Sequence, residues 1–316
     1  MNFLKKLLKG DKRIIAQTIS AVENDTSTMI LETIFPYTGK AYHIGITGPP
    51  GAGKSTLVNV IAKKLLEKNK KVGIIAVDPT SPFSGGALLG DRIRMTDLAL
   101  HKNVFIRSMA SRGSLGGLAS KTKDAALVLD ASGMDYVIIE TIGVGQVELD
   151  IAQVCDTTVV VLVPESGDSI QAMKAGLLEI ADIIVVNKGD REGCDRLIMD
   201  LKFAFELRDK QAGWHFPILK TIATENKGIE ELVSVIASHR EYLYKSGKLE
   251  DERKEKLMLR IHELIEEKIR THLKEKIIKE DELKAMVDKV YKRKLNPYRI
   301  AGKIAKGIIK SQTKWK

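Results

Sequence analysis

Cysteine is nearly missing from this chain: two in 316 residues, Cys155 and Cys194, far apart and in no CxxC or mixed Cys/His spacing. That excludes a disulfide framework and a thiolate zinc site, and a reducing, cytoplasmic setting is expected. His43, His101, His215, His239, His262 and His272 are scattered without a ligand-like pairing, so no metal depot is expected. Long apolar runs are lacking as well. The N-terminal stretch MNFLKKLLKGDKR is too short in its apolar part for a signal peptide or a spanning helix, and no membrane partner is expected. It reads as the start of a short amphipathic helix. Internal repeats and low-complexity segments are also missing.

An acidic balance is lacking too. The formal charge is +10, and residues 245–316 hold 22 of the 51 Lys and Arg against 12 of the 41 Asp and Glu, so the whole excess lies there. A basic tail of this kind is either an arm for nucleic acid, membrane or an acidic partner, or the solvated surface of helices; the second reading is favoured. Aromatics are only 5% of the chain, and Tyr291, Tyr298 and Trp315 stand apart from one another in the tail. Without interleaved stacking residues, nucleic acid is an unlikely partner.

What is present is a phosphate cradle. Gly48, Pro49, Pro50, Gly51, Ala52, Gly53, Lys54, Ser55 and Thr56 read GPPGAGKST, preceded by the strand-like YHIGIT and followed by helix-spaced TLVNVIAKKLLEK. Glycines let backbone N–H groups face phosphate oxygens, a helix N-terminus adds its positive end, Lys54 reaches the β/γ-phosphates and Ser55 supplies a hydroxyl to Mg²⁺. Further apolar runs at 72–78, 104–109, 136–141, 158–164, 182–188 and 217–223 alternate with helical segments. Near-continuous Val/Ile runs are strands buried on both faces, so the fold class is α/β: a P-loop NTPase with a mostly parallel sheet flanked by helices. The expected organisation is a small helical extension over 1–38, a core over 39–247 and a helical arm over 248–316.

Ligands of such sheets bind at the carboxyl ends of the strands. Asn187, Lys188 and Asp190 (NKGD) follow a strand there and match a guanine-reading pattern. An aspartate can accept from both the ring N–H and the exocyclic amine of guanine, a donor pair adenine lacks, which argues for GTP/GDP over ATP. Thr221 to Ala223, at the next strand end, is expected to close over the base through backbone groups. Asp78, Asp91 and Glu140 are candidates to hold Mg²⁺ and its water shell, although Asp91 reads equally as a helix N-cap. The glycine-bearing loops at 79–90 and 143–146 are placed to respond to the γ-phosphate.

The stretches VDPTSPFSGGALLGDRIRM, FIRSMASRGSLGGLA, IIETIGVGQVELD, ESGDSIQAMKAGLLEIADIIVVNKGD and HREYLYKSG, with the cradle, resemble the methylmalonyl-CoA mutase-associated G proteins, chaperone GTPases of cobalamin-dependent mutases. The resemblance runs through nearly the whole core. It implies a GTPase of the signal-recognition-particle-like class, a homodimer joined through the C-terminal helices, and a cobalamin-dependent acyl-CoA mutase as partner. It also implies phosphate, metal and catalytic roles for Lys54, Asp78, Asp91 and Glu140. Coupling to the partner would fall to Gly143 and Gln146 and to a further loop carrying Asp168, Gln171 and Lys174. Two positions depart from the family pattern. Gly189 stands where Ala is expected, an exchange that should be harmless, and Glu165 stands where a small residue is expected. The alternative function is a P-loop small-molecule kinase, since the same cradle serves transfer to an acceptor.

Overall fold

The computed structural model of the chain describes residues 2–24, 28–78, 96–110, 117–141, 147–164, 176–276 and 280–311. Each apolar run singled out in the sequence forms a strand: β1 (Tyr42–Thr47), β2 (Val72–Asp78), β3 (Val104–Ala110), β4 (Tyr136–Thr141), β5 (Thr157–Leu162), β6 (Ile183–Val186) and β7 (Ile218–Lys220). They build one sheet in the order β3-β2-β4-β1-β5-β6-β7, with every pairing parallel. β4 and β5 are buried at every position, which is why their sequences show no polar alternation.

Helices cover both faces. Among the described residues the longer ones up to residue 245 are, in chain order, α1 (Asn2–Leu8), α2 (Lys12–Glu23), α3 (Thr28–Ile34), α4 (Lys54–Glu67), α5 (Gly117–Ala131), α6 (Cys194–Ala212) and α7 (Ile229–Lys245); α8 (Lys248–Lys276), α9 (Glu280–Tyr291) and α10 (Pro297–Ser311) follow along the chain. Successive strand residues point to opposite faces, so each strand feeds two cores. On one side Ile44, Ile46, Ile138, Val159 and Val161 meet Leu57, Ile61 and Leu65 of α4 and Ile229, Leu232 and Ile236 of α7. On the other, Ile75, Val77, Val137 and Ile139 meet Val128 and Leu129 of α5, and Val160, Leu162, Ile184 and Val186 meet Leu197 and Leu201 of α6.

The N-terminal helices belong to this second core. Leu7, Ile15, Ile19, Val22 and Ile34 are fully buried in the cluster that contains α5. Asp11 starts α2 by accepting from the N–H groups of Arg13 (3.0 Å) and Ile14 (3.2 Å), an N-cap that leaves the Ile15/Ile19/Val22 stripe facing inward. Arg107 of β3 is paired with Glu23 and donates to Ser20 Oγ (3.1 Å), tying the helix to the sheet edge.

The chain divides into two compact units, Met1–Arg253 and Lys254–Lys316. Within the first, Arg253 is a clasp. Its guanidinium donates to both carboxylate oxygens of Asp156 (2.8 and 2.7 Å) and to the carbonyls of Gly39 (2.9 Å) and Ala41 (2.8 Å). The N–H groups of Gly39, Lys40 and Ala41 donate in turn to Asp130 of α5. The segment leading into β1 is thus held from both sides. Burial alone would raise the Asp156 carboxyl, but the Arg253 fork, the nearby His43 and the His43 N–H bond (2.8 Å) outweigh it and hold its pKa low.

A carboxylate held low in the fold adds stability above its unfolded pKa, about 3.9, and that stability is lost as pH falls through the folded value. Arg253→Ala leaves Asp156 buried without its fork, so we expect a loss of about 2–4 kcal/mol at neutral pH. The deficit should shrink below about pH 4, where protonation removes the charge. Urea unfolding of both proteins at the two pH values checks this; a deficit independent of pH would exclude Asp156 as its source.

Candidate nucleotide site

The cradle joins the end of β1 to the start of α4. Gly48 has φ +138°, and a Cβ there would strike the carbonyl oxygen of Val161 on the adjacent β5. Gly53 caps α4 with φ +88°, and a Cβ there would strike Nδ2 of Asn187. At both positions a side chain is excluded by conformation and by space. The first N–H groups of α4 have no partners within the helix and open onto the loop, the arrangement that binds anions at helix N-termini.

Lys54 is only 5% exposed, and its ammonium donates to the carbonyls of Gly48 (2.6 Å) and Pro49 (2.8 Å), so the cation is held directly over the loop. Ser55 donates through Oγ to Glu140 Oε1 (2.6 Å), the carboxylate being 2% exposed at the end of β4. In the same layer Thr141 Oγ1 donates to Thr47 Oγ1 (2.9 Å). A half-buried hydroxyl and a buried carboxylate in direct contact beside the loop form an oxygen-only donor pair, the chemistry that suits a hard cation.

The guanine-reading segment lies beyond β6. Asn187 is buried and its amide spans the site: Nδ2 donates to Ala52 O (2.9 Å), while Oδ1 accepts from Thr221 Oγ1 (3.1 Å) and from the N–H of Ala223 (3.2 Å). The N–H of Ala223 is therefore directed at Asn187. Lys188 occupies the left-handed region at φ +56°, uncommon for a residue with a side chain, and Asp190 is exposed. Gly189 donates its N–H to Thr221 O (2.9 Å). A Cβ at Gly189 would lie 2.7 Å from Lys220 Cγ, so Ala requires a neighbour to move.

Gly48 to Thr56, Glu140, Asn187 to Asp190, Thr221 and Ala223 therefore gather at one edge, the carboxyl ends of β1, β4, β6 and β7. Asp78 closes β2 at that same edge, but its side chain lies outside the described residues. Asp91, Gly143, Gln146, Glu165, Asp168, Gln171 and Lys174 lie outside them as well. Lys220 was not legible as part of this edge, because nothing in PILKTIA distinguishes it from any strand-end lysine.

A parallel sheet with a phosphate cradle at β1 and an NKxD segment at β6 defines a P-loop GTPase. The family described as methylmalonyl-CoA mutase-associated GTPase MeaB matches residues 15–277, and this chain belongs to it. A Pyrococcus abyssi protein provisionally assigned as a GTPase is 48% identical over 311 residues, covering 97% of this chain and 96% of the relative. The GTPase ArgK of Escherichia coli is 36% identical over 281 residues, covering 85% of each. Among solved structures, one described as an LAO/AO transport system kinase superposes with a TM-score of 0.73 at 29% identity, covering 97% of this chain and 96% of that one.

The chain is accordingly a GTPase, converting GTP and water to GDP and phosphate. Lys54 holds its cation over the cradle, so Lys54→Ala should lower GTP turnover by about 10²–10³-fold, the cost of removing one preorganised charge-stabilising donor. Phosphate release assays check this, and turnover within a few-fold of the parent would exclude the loop as the reaction site.

Proposed function

We propose that this GTPase gates cofactor loading, or protects the loaded enzyme, for a cobalamin-dependent acyl-CoA mutase such as methylmalonyl-CoA mutase. The observation that carries this reading is the match to a family described by its association with that mutase, over a span that includes the whole sheet. A mouse relative described as the mitochondrial methylmalonic aciduria type A homolog, 31% identical over 96% of this chain and 78% of its own length, supports the same context.

Hydrolysis rests on position and charge. Lys54 and the α4 N-terminus stabilise charge on the γ-phosphoryl oxygens as water attacks in line. Mg²⁺ would be held by Ser55, with Glu140, Asp78 and Asp91 as the acidic groups around it, and would neutralise charge between the β- and γ-phosphates. Asp190 selects guanine, and Thr221 and Ala223 fix the base edge through Asn187. Partner coupling falls to Gly143, Gln146, Asp168, Gln171 and Lys174, by the family resemblance.

A homodimer joined through residues 248–316 belongs to the same reading. In the second unit Ile261, Ile265 and Ile269 of α8 are 57%, 49% and 53% exposed, with Leu257 and Leu264 beside them. An uncovered apolar stripe of this length calls for a partner face. Among the described residues no helix is long and apolar enough to cross a membrane.

The solved structure described as a kinase favours one second reading, transfer of the γ-phosphoryl group to a small acceptor. Incubation with GTP and candidate amine acceptors separates the two: phosphate release alone sets the kinase aside. For the main reading, GTP turnover is measured with and without a purified cobalamin-dependent mutase. A rate that depends on the mutase is expected, and a rate unchanged at saturating mutase rejects the partnership. Asp190→Asn tests the base assignment separately. The amide presents a donor toward C2 of the base, so preference should shift from guanosine to xanthosine nucleotides in competitive binding.

A further inference from the structure

Position 189 sits between Lys188 and Asp190, and the space a side chain would need there is filled by Lys220. A Cβ on Gly189 would lie 2.7 Å from Lys220 Cγ, 3.0 Å from its Cε and 3.3 Å from Thr221 O. The methylene stem of Lys220 therefore lies flat against the backbone of the guanine-reading segment. Its far end is anchored, since Nζ donates to Asp195 Oδ1 at 2.7 Å, and Asp195 stands in the first turn of α6. The bond to Asp195 raises the lysine's pKa.

The backbone of the same residue serves a second contact. A Cβ on Gly228 would strike the carbonyl oxygen of Lys220. Only a glycine there lets the chain fold back so that Ile222 and Lys227 form an antiparallel bridge beneath the base-closing turn. Lys220 pairs in register with Val186, the residue before Asn187. The N–H of Thr221 bonds Val186 O at 2.9 Å, and Gly189 N–H bonds Thr221 O at 2.9 Å. One residue thus touches the guanine-reading segment with its stem, α6 with its head and Gly228, at the start of α7, with its carbonyl.

Magnitudes decide which part of Lys220 matters. The side chains of Lys220 and Asp195 are 43% and 84% exposed, and ion pairs of that kind contribute little. The stem is different, because it covers a backbone that carries no side chain of its own. The ion pair aims the stem, and the stem restrains the loop.

We propose that Lys220 is a positioning residue for guanine recognition: its stem braces the Gly189 backbone so that the Asp190 carboxylate is held where it accepts from the base. The proposal rests on the reading of Asp190 as the guanine-binding carboxylate. A site that accepts two hydrogen bonds from one rigid edge is sensitive to small rotations of the acceptor, so a loosened or displaced loop loses discrimination before it loses phosphate-driven affinity.

The test compares dissociation constants for GDP and inosine diphosphate, which lacks the exocyclic amine. Their ratio reports the bond from that amine, and a loss of fold stability alone would shift both constants together. In the parent, GDP should be preferred by about 10–100-fold. Lys220→Met keeps the stem and should leave the ratio within about twofold, whereas Lys220→Ala and Gly189→Ala should each lower it about five- to tenfold. The double variant carrying both changes should recover much of the ratio, because the methyl at 189 enters the space the stem vacates.

A parent-like ratio in Lys220→Ala, or additive losses in the double variant, overturns the brace. Asp190→Ala separates the two levels. If it abolishes discrimination while the Lys220 variants retain it, the brace alone is wrong. If it too retains discrimination, the guanine reading fails and the brace falls with it. Gly189→Ala does not depend on removing any contact of Lys220, so its ratio decides the matter even where Lys220→Ala folds poorly.

Discussion

One buried amide holds the two halves of the nucleotide site in register. Asn187 donates through Nδ2 to the carbonyl of Ala52 in the phosphate loop and accepts on Oδ1 from Thr221 and Ala223 in the turn after β7. Two chain segments far apart in sequence thereby satisfy a single buried side chain on a third, and loss of the Ala52 bond, or of both bonds from the second segment, leaves a buried polar atom unpaired at a cost of about 1–3 kcal/mol. The exclusion of a side chain at Gly53 follows from the same contact, since a Cβ there would occupy the place of the amide nitrogen. Glycine in the loop is thus required by the neighbouring strand as well as by phosphate.

The sheet transmits this constraint through its length. β1 ends in the phosphate loop and is entered from residues 39–41, which are gripped by Arg253 on one side and Asp130 on the other. Asp156, the other half of that clasp, immediately precedes β5, whose Val161 carbonyl abuts Gly48 at the opposite end. The two strands that shape the cradle are therefore pinned at their starts by charge-assisted bonds and at their ends by close backbone approach. In such a frame the nucleotide end cannot shift independently along one strand.

Much of this was legible in the sequence. Seven apolar runs became seven strands because parallel strands buried on both faces leave an unambiguous trace, and the placement of Glu140 and Asn187 at their carboxyl ends followed from it. Less legible were features that depend on what lies across a gap. The N-terminal helices read as an extension, yet Ile15, Ile19 and Val22 complete one of the main cores, because amphipathic spacing reveals that a face is buried and not against what. Asp130, Asp156 and Arg253 show no motif at all, their meeting being a product of topology. What a side chain at position 189 would meet was hidden for the same reason: the neighbouring atoms belong to Lys220, a strand away.

The comparison of these cases shows where a motif stops being sufficient. NKGD names the groups that can face a guanine, but the four letters do not determine the orientation of the loop that presents them. That orientation is set by the left-handed Lys188 within the motif and by two contacts with residues outside it, the N–H bond of Gly189 to Thr221 and the stem of Lys220. Alanine at position 189 would carry in its own methyl group a contact that glycine leaves to a neighbour. In this chain the neighbour is a lysine aimed by an aspartate on the next helix, so the geometry of the base site is linked to the first turn of α6.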